Sequence, residues 1–262
     1  MPGSFADCAI LVTGSTRGIG QAAALKFLER GAHVAIHGRT ASMVEAAVSG
    51  LTARYGGRVR GLAADLSNRA AQDRLAEFAG DLDVLVNCAG AYEEAMLPEA
   101  GEDHWRRLIE INLTAPWRLT RALLPGLRRK RGIIVNVGSD AALLGYAGSA
   151  AYCASKGGLV GLTRALAVEL APEVRALCVC PGPVDTDMMR SSVEQSPDPA
   201  AARRQWQAFP LLKRFAEAGE IAEAILFAAS KSCGFHTGSL IVIDGGTTAG
   251  RTVVTGPVST LA

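Results

Sequence analysis

The sequence has almost no excess of either charge: 27 Lys and Arg stand against 25 Asp and Glu, a formal net charge of +2. So weak a field excludes bulk attraction to nucleic acid or to a membrane surface. No stretch of about 18 residues is free of charge and polarity, so no membrane span is expected. The opening residues, Met1-Pro2-Gly3-Ser4-Phe5-Ala6-Asp7, lack a basic segment followed by an apolar one. No secretory signal is therefore expected, and the chain reads as cytoplasmic. The four histidines lie far apart and no Cys/His set has zinc-site spacing, so no metal is expected. Cys8, Cys88, Cys153, Cys178, Cys180 and Cys233 are scattered through predicted strands and helices, which in a long chain without secretory context points to reduced thiols. Cys178 and Cys180 share one strand face and read as packing.

What is present is apolar: 49% of residues are hydrophobic and 20% charged, enough for a sizeable core. Apolar runs suited to buried parallel strands fall at Ala9–Thr13, His33–His37, Arg58–Ala64, Asp83–Asn87, Gly132–Val137, Val174–Cys180 and Ser239–Ile243. Helical patterns separate them, near Ile19–Arg30, Ser42–Tyr55, Arg69–Ala79, Asp103–Arg129, Tyr152–Leu170 and Ala218–Ala229. Ser42 with Glu45 suggests a capping box, and Gly31 sits where a helix C-terminal glycine belongs. Regular alternation over seven strands predicts an α/β fold, a doubly wound seven-stranded parallel sheet of Rossmann type, in a single domain over 1–262.

Two segments break the rhythm. Residues 187–215 carry Met188, Trp206 and other apolar side chains between the last two strands, where an insertion reads as a substrate lid or, failing that, a helical surface flap. Residues 247–262 read as a tail. The basic run Arg128-Arg129-Lys130-Arg131 suits a helix C-terminus; the sharper reading is a docking spot for an acidic partner, such as a carrier protein.

Thr13-Gly14-Ser15-Thr16-Arg17-Gly18-Ile19-Gly20 closes the first strand and opens the first helix. Glycines there let the backbone approach a pyrophosphate, which sits on free N–H groups at the helix start. An acidic residue about 20 positions further on would bind the ribose 2′-hydroxyl of NAD. This chain has Gly38-Arg39-Thr40 instead, and a guanidinium suits a 2′-phosphate, with Arg17 as a second cation. NADP(H) is therefore favoured, with NAD(H) as the alternative.

Tyr152 and Lys156 are four apart on a predicted helix, so they share one face. A free phenol has a pKa of about 10, and a cation one turn away favours the phenolate, which points to Tyr152 as general acid and base. Ser139, thirteen residues upstream, closes a buried strand and presents a hydroxyl at its C-terminal end.

With these segments in order, the chain resembles the short, single-domain branch of the short-chain dehydrogenase/reductase family, in particular its 3-oxoacyl-carrier-protein reductase-like members. The resemblance runs from Ala9 to about Gly246 and rests on Thr13–Gly20, Asp65, Asn87-Cys88-Ala89-Gly90, Asn112, Ser139, Tyr152 with Lys156, Pro181–Thr186 and Asp244-Gly245-Gly246. It implies that Ser139, Tyr152, Lys156 and Asn112 are catalytic, Asn112 holding a water in the proton relay. It also implies cofactor contacts from Gly14, Ser15, Thr16, Arg17, Gly18, Ile19, Gly20, Arg39, Asp65, Leu66, Asn87, Ala89, Gly90, Tyr152, Lys156, Pro181, Gly182, Val184 and Thr186. Cys88 stands where a second asparagine is common, and Leu177 replaces a frequent asparagine.

The implied reaction is hydride transfer between nicotinamide and a ketone or secondary alcohol. A 3-oxoacyl or other hydrophobic β-keto substrate, free or carrier-bound, is favoured, with Leu143, Tyr146, Met188 and Trp206 as candidate contacts. Oxidation of a sugar, polyol or other secondary alcohol is the alternative. A cofactor-binding scaffold without turnover is the reading from a different class. The resemblance further implies a homotetramer, or a homodimer, through the helices matching Asp103–Arg129 and Tyr152–Leu170.

Overall fold

The computed structural model describes residues 5–250, so most of the expected tail lies outside the described residues. All seven expected strands form, with bounds shifted by a residue at most: β1 Ala9–Val12, β2 His33–Gly38, β3 Val59–Ala63, β4 Val84–Asn87, β5 Ile133–Val137, β6 Arg175–Pro181 and β7 Leu240–Ile243. They pair in parallel in the order β3-β2-β1-β4-β5-β6-β7. The chain winds outward from β1 to β3, then returns to place β4 on the other side of β1. That reversal leaves a crevice beyond the C-terminal ends of β1 and β4, the place where such sheets bind ligands.

The helices are α1 Gly18–Glu29, α2 Ala41–Tyr55, α3 Arg69–Ala79, α4 Glu102–Ile109, α5 Ala115–Lys130, α6 Ala150–Leu170, α7 Asp187–Glu194, α8 Pro199–Ala208 and α9 Ala218–Ala229. Alternation along each strand feeds both layers. Ile10 and Val12 join the core with Phe27 of α1 and Ile225 of α9, whereas Leu11 joins Leu75 of α3 with Leu119 and Leu127 of α5. Each such side chain contributes roughly 1.5–3 kcal/mol when fully buried. The sheet is therefore held from both faces, and its C-terminal edge is a rigid platform.

Two local expectations change. The long helix expected over Asp103–Arg129 is α4 and α5 joined by a π turn at Glu110–Thr114, which carries Asn112. The extra residue in that turn is the insertion that points Asn112 inward, a common device at functional positions. The capping box expected at Ser42 does not form. α2 already starts at Ala41, and the extended Thr40 caps it by accepting from Met43 N–H at 3.4 Å. Gly31 does follow α1 with φ +93°, as expected.

The irregular segment after β6 is helical: α7 is capped by Thr186 and α8 by Asp198, whose carboxylate accepts from Ala201 N–H at 2.9 Å. In the basic run, Arg128 pairs with Glu173 at 2.9 Å and Arg129 with Asp81. Those two charges close helix and loop ends together.

Candidate active site

The crevice has a volume of about 360 Å³ and runs from the glycine turn to the segment 187–206. At one end, the turn after β1 is shaped by backbone demands. Gly14 has φ +66°, and a Cβ there would lie 2.8 Å from Ala89 Cα, so only glycine fits between the turn and the segment after β4. Ser15 is fully buried behind the turn: its hydroxyl donates to Val12 O at 2.7 Å and accepts from His37 N–H at 2.9 Å. His37, at the end of β2, completes the cradle. Its Nδ1 accepts from Gly14 N–H and its Nε2 contacts Ala64 O, both at 2.9 Å. Because Gly14 must donate, the ring proton is on Nε2 and the ring is neutral; burial also lowers its pKa.

Arg17 sits at the N-cap of α1 without a side-chain capping bond. The first N–H groups of that helix are therefore free to meet an anion at the positive end of the macrodipole. With the glycine cradle beside them, they fit a dinucleotide pyrophosphate.

Arg39 is exposed at the crevice mouth, next to Asp65. Asp65 is held below the usual carboxylate range by the N–H and hydroxyl of Ser67, at 2.9 and 2.8 Å, with Arg39 adding to the effect. Arg17 leans the other way and reaches Asp187 at the start of α7, 3.7 Å away. The glycine turn is thus tied to the segment expected to act as a lid.

At the other end of the crevice, β5 ends at Val137 and delivers Ser139, whose hydroxyl accepts from Ala141 N–H at 3.1 Å. α6 carries Tyr152 and Lys156 one turn apart. Lys156 Nζ donates to Val137 O at 2.8 Å and lies 5.7 Å from the Tyr152 ring centroid. Tyr92 packs edge-on against the Tyr152 ring at 4.9 Å and fixes its plane.

The electrostatics differ from the expectation of an acidified phenol. Burial pushes Tyr152 up to about 12, and the nearby Ser139 hydroxyl offsets only part of that. Burial likewise lowers Lys156. The ammonium is held by a backbone carbonyl and stands 5.7 Å from the ring centroid, while desolvation acts directly on the phenol. Tyr152 is therefore a protonated acid at neutral pH.

Asn112 is buried, with Oδ1 accepting from Ala91 N–H at 2.8 Å and Nδ2 donating to Ala91 O at 2.9 Å and Ser155 Oγ at 3.1 Å. Both amide protons are engaged by protein. The side chain is a clamp between the π turn, the segment after β4 and α6. Asn87 is also away from the crevice. It donates to Asn136 Oδ1 at 2.9 Å, and Asn136 donates to Thr163 at 2.9 Å, a buried ladder that locks β4, β5 and α6 in register.

Of the sequence-predicted residues, Gly14, Thr16, Arg17, Gly18, Ile19, Gly20, Arg39, Asp65, Leu66, Ala89, Gly90, Ser139, Tyr152, Lys156, Pro181, Gly182, Val184 and Thr186 line the crevice. Ser15, Asn87 and Asn112 stand behind its wall. Among the substrate candidates, Tyr146, Met188 and Trp206 line it, whereas Leu143 is 41% exposed and not part of the lining. The rings of Tyr146, Trp206 and Phe209 pack together at 5.4–6.0 Å and close the apolar end. Sequence reasoning missed His37, Tyr92 and Asp140. Asp140 directly follows Ser139, and a carboxylate beside a proposed proton donor was the available signal.

The strand order, glycine turn and Ser–Tyr–Lys end of one crevice agree with what comparison finds. Residues 8–197 match the short chain dehydrogenase family. The chain belongs to that family. The short-chain dehydrogenase is 36% identical to an uncharacterized oxidoreductase of Thermotoga maritima, over 94% of this chain and 99% of the relative. It is 33% identical to a 3-oxoacyl-(acyl-carrier-protein) reductase of Chlamydia trachomatis, with the same coverage. It is 36% identical to a trans-4-hydroxycyclohexanecarboxylate dehydrogenase of Sinomonas cyclohexanicum, over 94% and 95%. A solved short chain dehydrogenase/reductase family protein superposes with a TM-score of 0.85 at 34% identity, covering 94% of this chain and 99% of the other. This short-chain dehydrogenase is therefore an oxidoreductase that acts on a carbonyl or its alcohol with a nicotinamide dinucleotide. Among the described residues no helix is long and apolar enough to cross a membrane.

Proposed function

We propose that this short-chain dehydrogenase reduces a hydrophobic ketone, of the 3-oxoacyl or related β-keto class, with NADPH. The observation that carries this reading is that Ser139, Tyr152 and Lys156 line the same crevice as the glycine turn. When bound, the nicotinamide supplies the hydride. Ser139 and Tyr152 donate hydrogen bonds to the substrate oxygen, which gains negative charge in the transition state. Tyr152, protonated at neutral pH, passes its proton to that oxygen. Lys156, anchored on Val137 O and lining the same crevice, would hold the ribose of a bound nicotinamide.

Arg39 supports NADP(H), since it lies exposed at the mouth where a carboxylate would repel a 2′-phosphate. The apolar end with Met188, Tyr146 and Trp206 supports a hydrophobic carbonyl, as do the carrier-protein reductases among its relatives. The alcohol dehydrogenase among them favours a second reading, oxidation of a cyclic secondary alcohol. NADPH and NADH oxidation, measured side by side against a ketone panel, separates these. NADPH is expected to be preferred by about 10–100-fold, the worth of one charge-assisted bond pair, and Arg39→Ala to remove the preference. Equal use of both nucleotides by the unmodified enzyme contradicts the assignment.

Exposed Trp105 on α4 and Trp117 on α5 support a homotetramer, or a homodimer, across those helices. Light scattering reads this directly, and a stable monomer counts against it.

A further inference from the structure

Asp140 follows Ser139 and belongs to neither the cofactor cradle nor the set Ser139, Tyr152, Lys156. It is 5% exposed and lines the crevice. Ser139 Oγ donates to Asp140 Oδ1 at 3.0 Å, and Tyr146 Oη donates to Asp140 Oδ2 at 2.8 Å. Both carboxyl oxygens are thus held, one by the residue proposed to grip the substrate oxygen and one by a residue of the apolar end.

A serine hydroxyl has one proton and two lone pairs. One lone pair of Ser139 is taken by Ala141 N–H. If Asp140 is a carboxylate, it takes the single Ser139 proton, and the substrate oxygen receives a hydrogen bond from Tyr152 alone. If Asp140 is a carboxylic acid, its own proton can go to the second Ser139 lone pair. The Ser139 proton is then free to point at the substrate, with Tyr146 still bonded to the other carboxyl oxygen. No atom has to move further than a hydroxyl rotation.

Resting on the reductase reading above, we infer that Asp140 is a positioning residue, active as its carboxylic acid, which turns the Ser139 proton toward the substrate and captures that proton when ionised. The surroundings favour the acid. Burial raises its pKa, the bonds donated by Tyr146 and Ser139 act against this, and Asp244 raises it again. Asp244 stays ionised: burial opposes that, but donors from Thr248 and Gly246 outweigh it. The other titratable groups facing Asp140 are Tyr146, Tyr152 of α6 and Cys180 of β6, with the Lys156 ammonium of α6 in the same crevice, 5.7 Å from the Tyr152 ring centroid. Burial pushes Tyr152 up to about 12, so a loss of carbonyl reduction near neutrality points to another group, which Asp140→Asn tests.

The test compares Asp140→Asn, Asp140→Ala and Tyr146→Phe with the unmodified enzyme, each checked for fold by circular dichroism. The unmodified enzyme should lose ketone reduction with rising pH through one step below the Tyr152 range. Asp140→Asn, whose amide donates as the acid does, should keep turnover within about threefold and lose the step. Asp140→Ala should also lose the step and should lose up to about tenfold in turnover, because nothing then turns the Ser139 hydroxyl toward the substrate. Tyr146→Phe removes a bond that favours the carboxylate, so its step should move to higher pH. A step unchanged in Asp140→Asn, or a loss in Asp140→Asn as large as in Asp140→Ala, overturns the proposal. Infrared difference spectra of unmodified protein against Asp140→Asn decide independently of turnover. A protonated-carboxyl band persisting well above pH ~4, where an ordinary aspartate ionises, is expected; its absence overturns the proposal. If no ketone turns over, the reductase reading fails, and the infrared band still decides who holds the proton.

Discussion

Tyr152→Phe is expected to lower kcat for ketone reduction by about 10²–10⁴, the usual contribution of a positioned general acid. NADPH affinity should change little. The phenyl ring keeps its edge-on packing against Tyr92, and Lys156 keeps its bond to Val137 O, so the variant removes one proton donor and little else. The split between kcat and cofactor Kd is the informative readout, because an interaction made only in the transition state lowers kcat without touching nucleotide binding. Turnover within a few-fold of the unmodified enzyme would remove Tyr152 from the acid position. The buried phenol also fixes a pH signature. With Tyr152 held near 12, alcohol oxidation needs a phenolate that is scarce at neutral pH, so the reverse reaction should rise by about tenfold per pH unit across the neutral range.

The second large effect is on stability. Asn112→Ala removes three hydrogen bonds at one buried position and strands the N–H and C=O of Ala91, while the Ser155 hydroxyl keeps its bond to Tyr152 O. Unsatisfied buried groups cost about 1–3 kcal/mol each, of which partial relaxation recovers some, so a loss of about 3 kcal/mol is expected. For a chain of this size that corresponds to a fall in Tm of roughly 6–12 °C. Turnover should fall as well, because Ala91 belongs to the crevice wall. A thermal melt that coincides with that of the unmodified protein would show that the clamp is dispensable.

The fold was legible because buried parallel strands announce themselves as short apolar runs, and the turns between them carry glycine and capping residues. β1 through β7 could be placed to within a residue on that basis. The glycine turn and the Tyr152–Lys156 spacing were legible for the same reason, since both are local patterns whose chemistry follows from their spacing. What escaped is what depends on through-space neighbours. His37 reads as an ordinary strand residue until the sheet brings it under Gly14. Asn112 is cast by the resemblance as holder of a relay water, and its further part as a clamp on Ala91 and Ser155 shows only once the π turn buries it. Tyr152 was expected to be acidified because sequence shows the cation one turn away but not the desolvation, which is the larger effect. Leu143 was placed near the substrate by its nearness to Ser139, yet the one-turn helix Asp140–Ala142 swings it outward and Tyr146 inward.

Hydride transfer itself is the claim on which the rest stands, and isotope transfer reads it most directly. Incubation with NADPH carrying deuterium at nicotinamide C4 and a hydrophobic β-keto substrate should yield a hydroxy product with deuterium on the carbinol carbon and none from solvent. Product formed with only solvent hydrogen at that carbon, or NADPH bound in the crevice with no transfer to any ketone, would contradict the account.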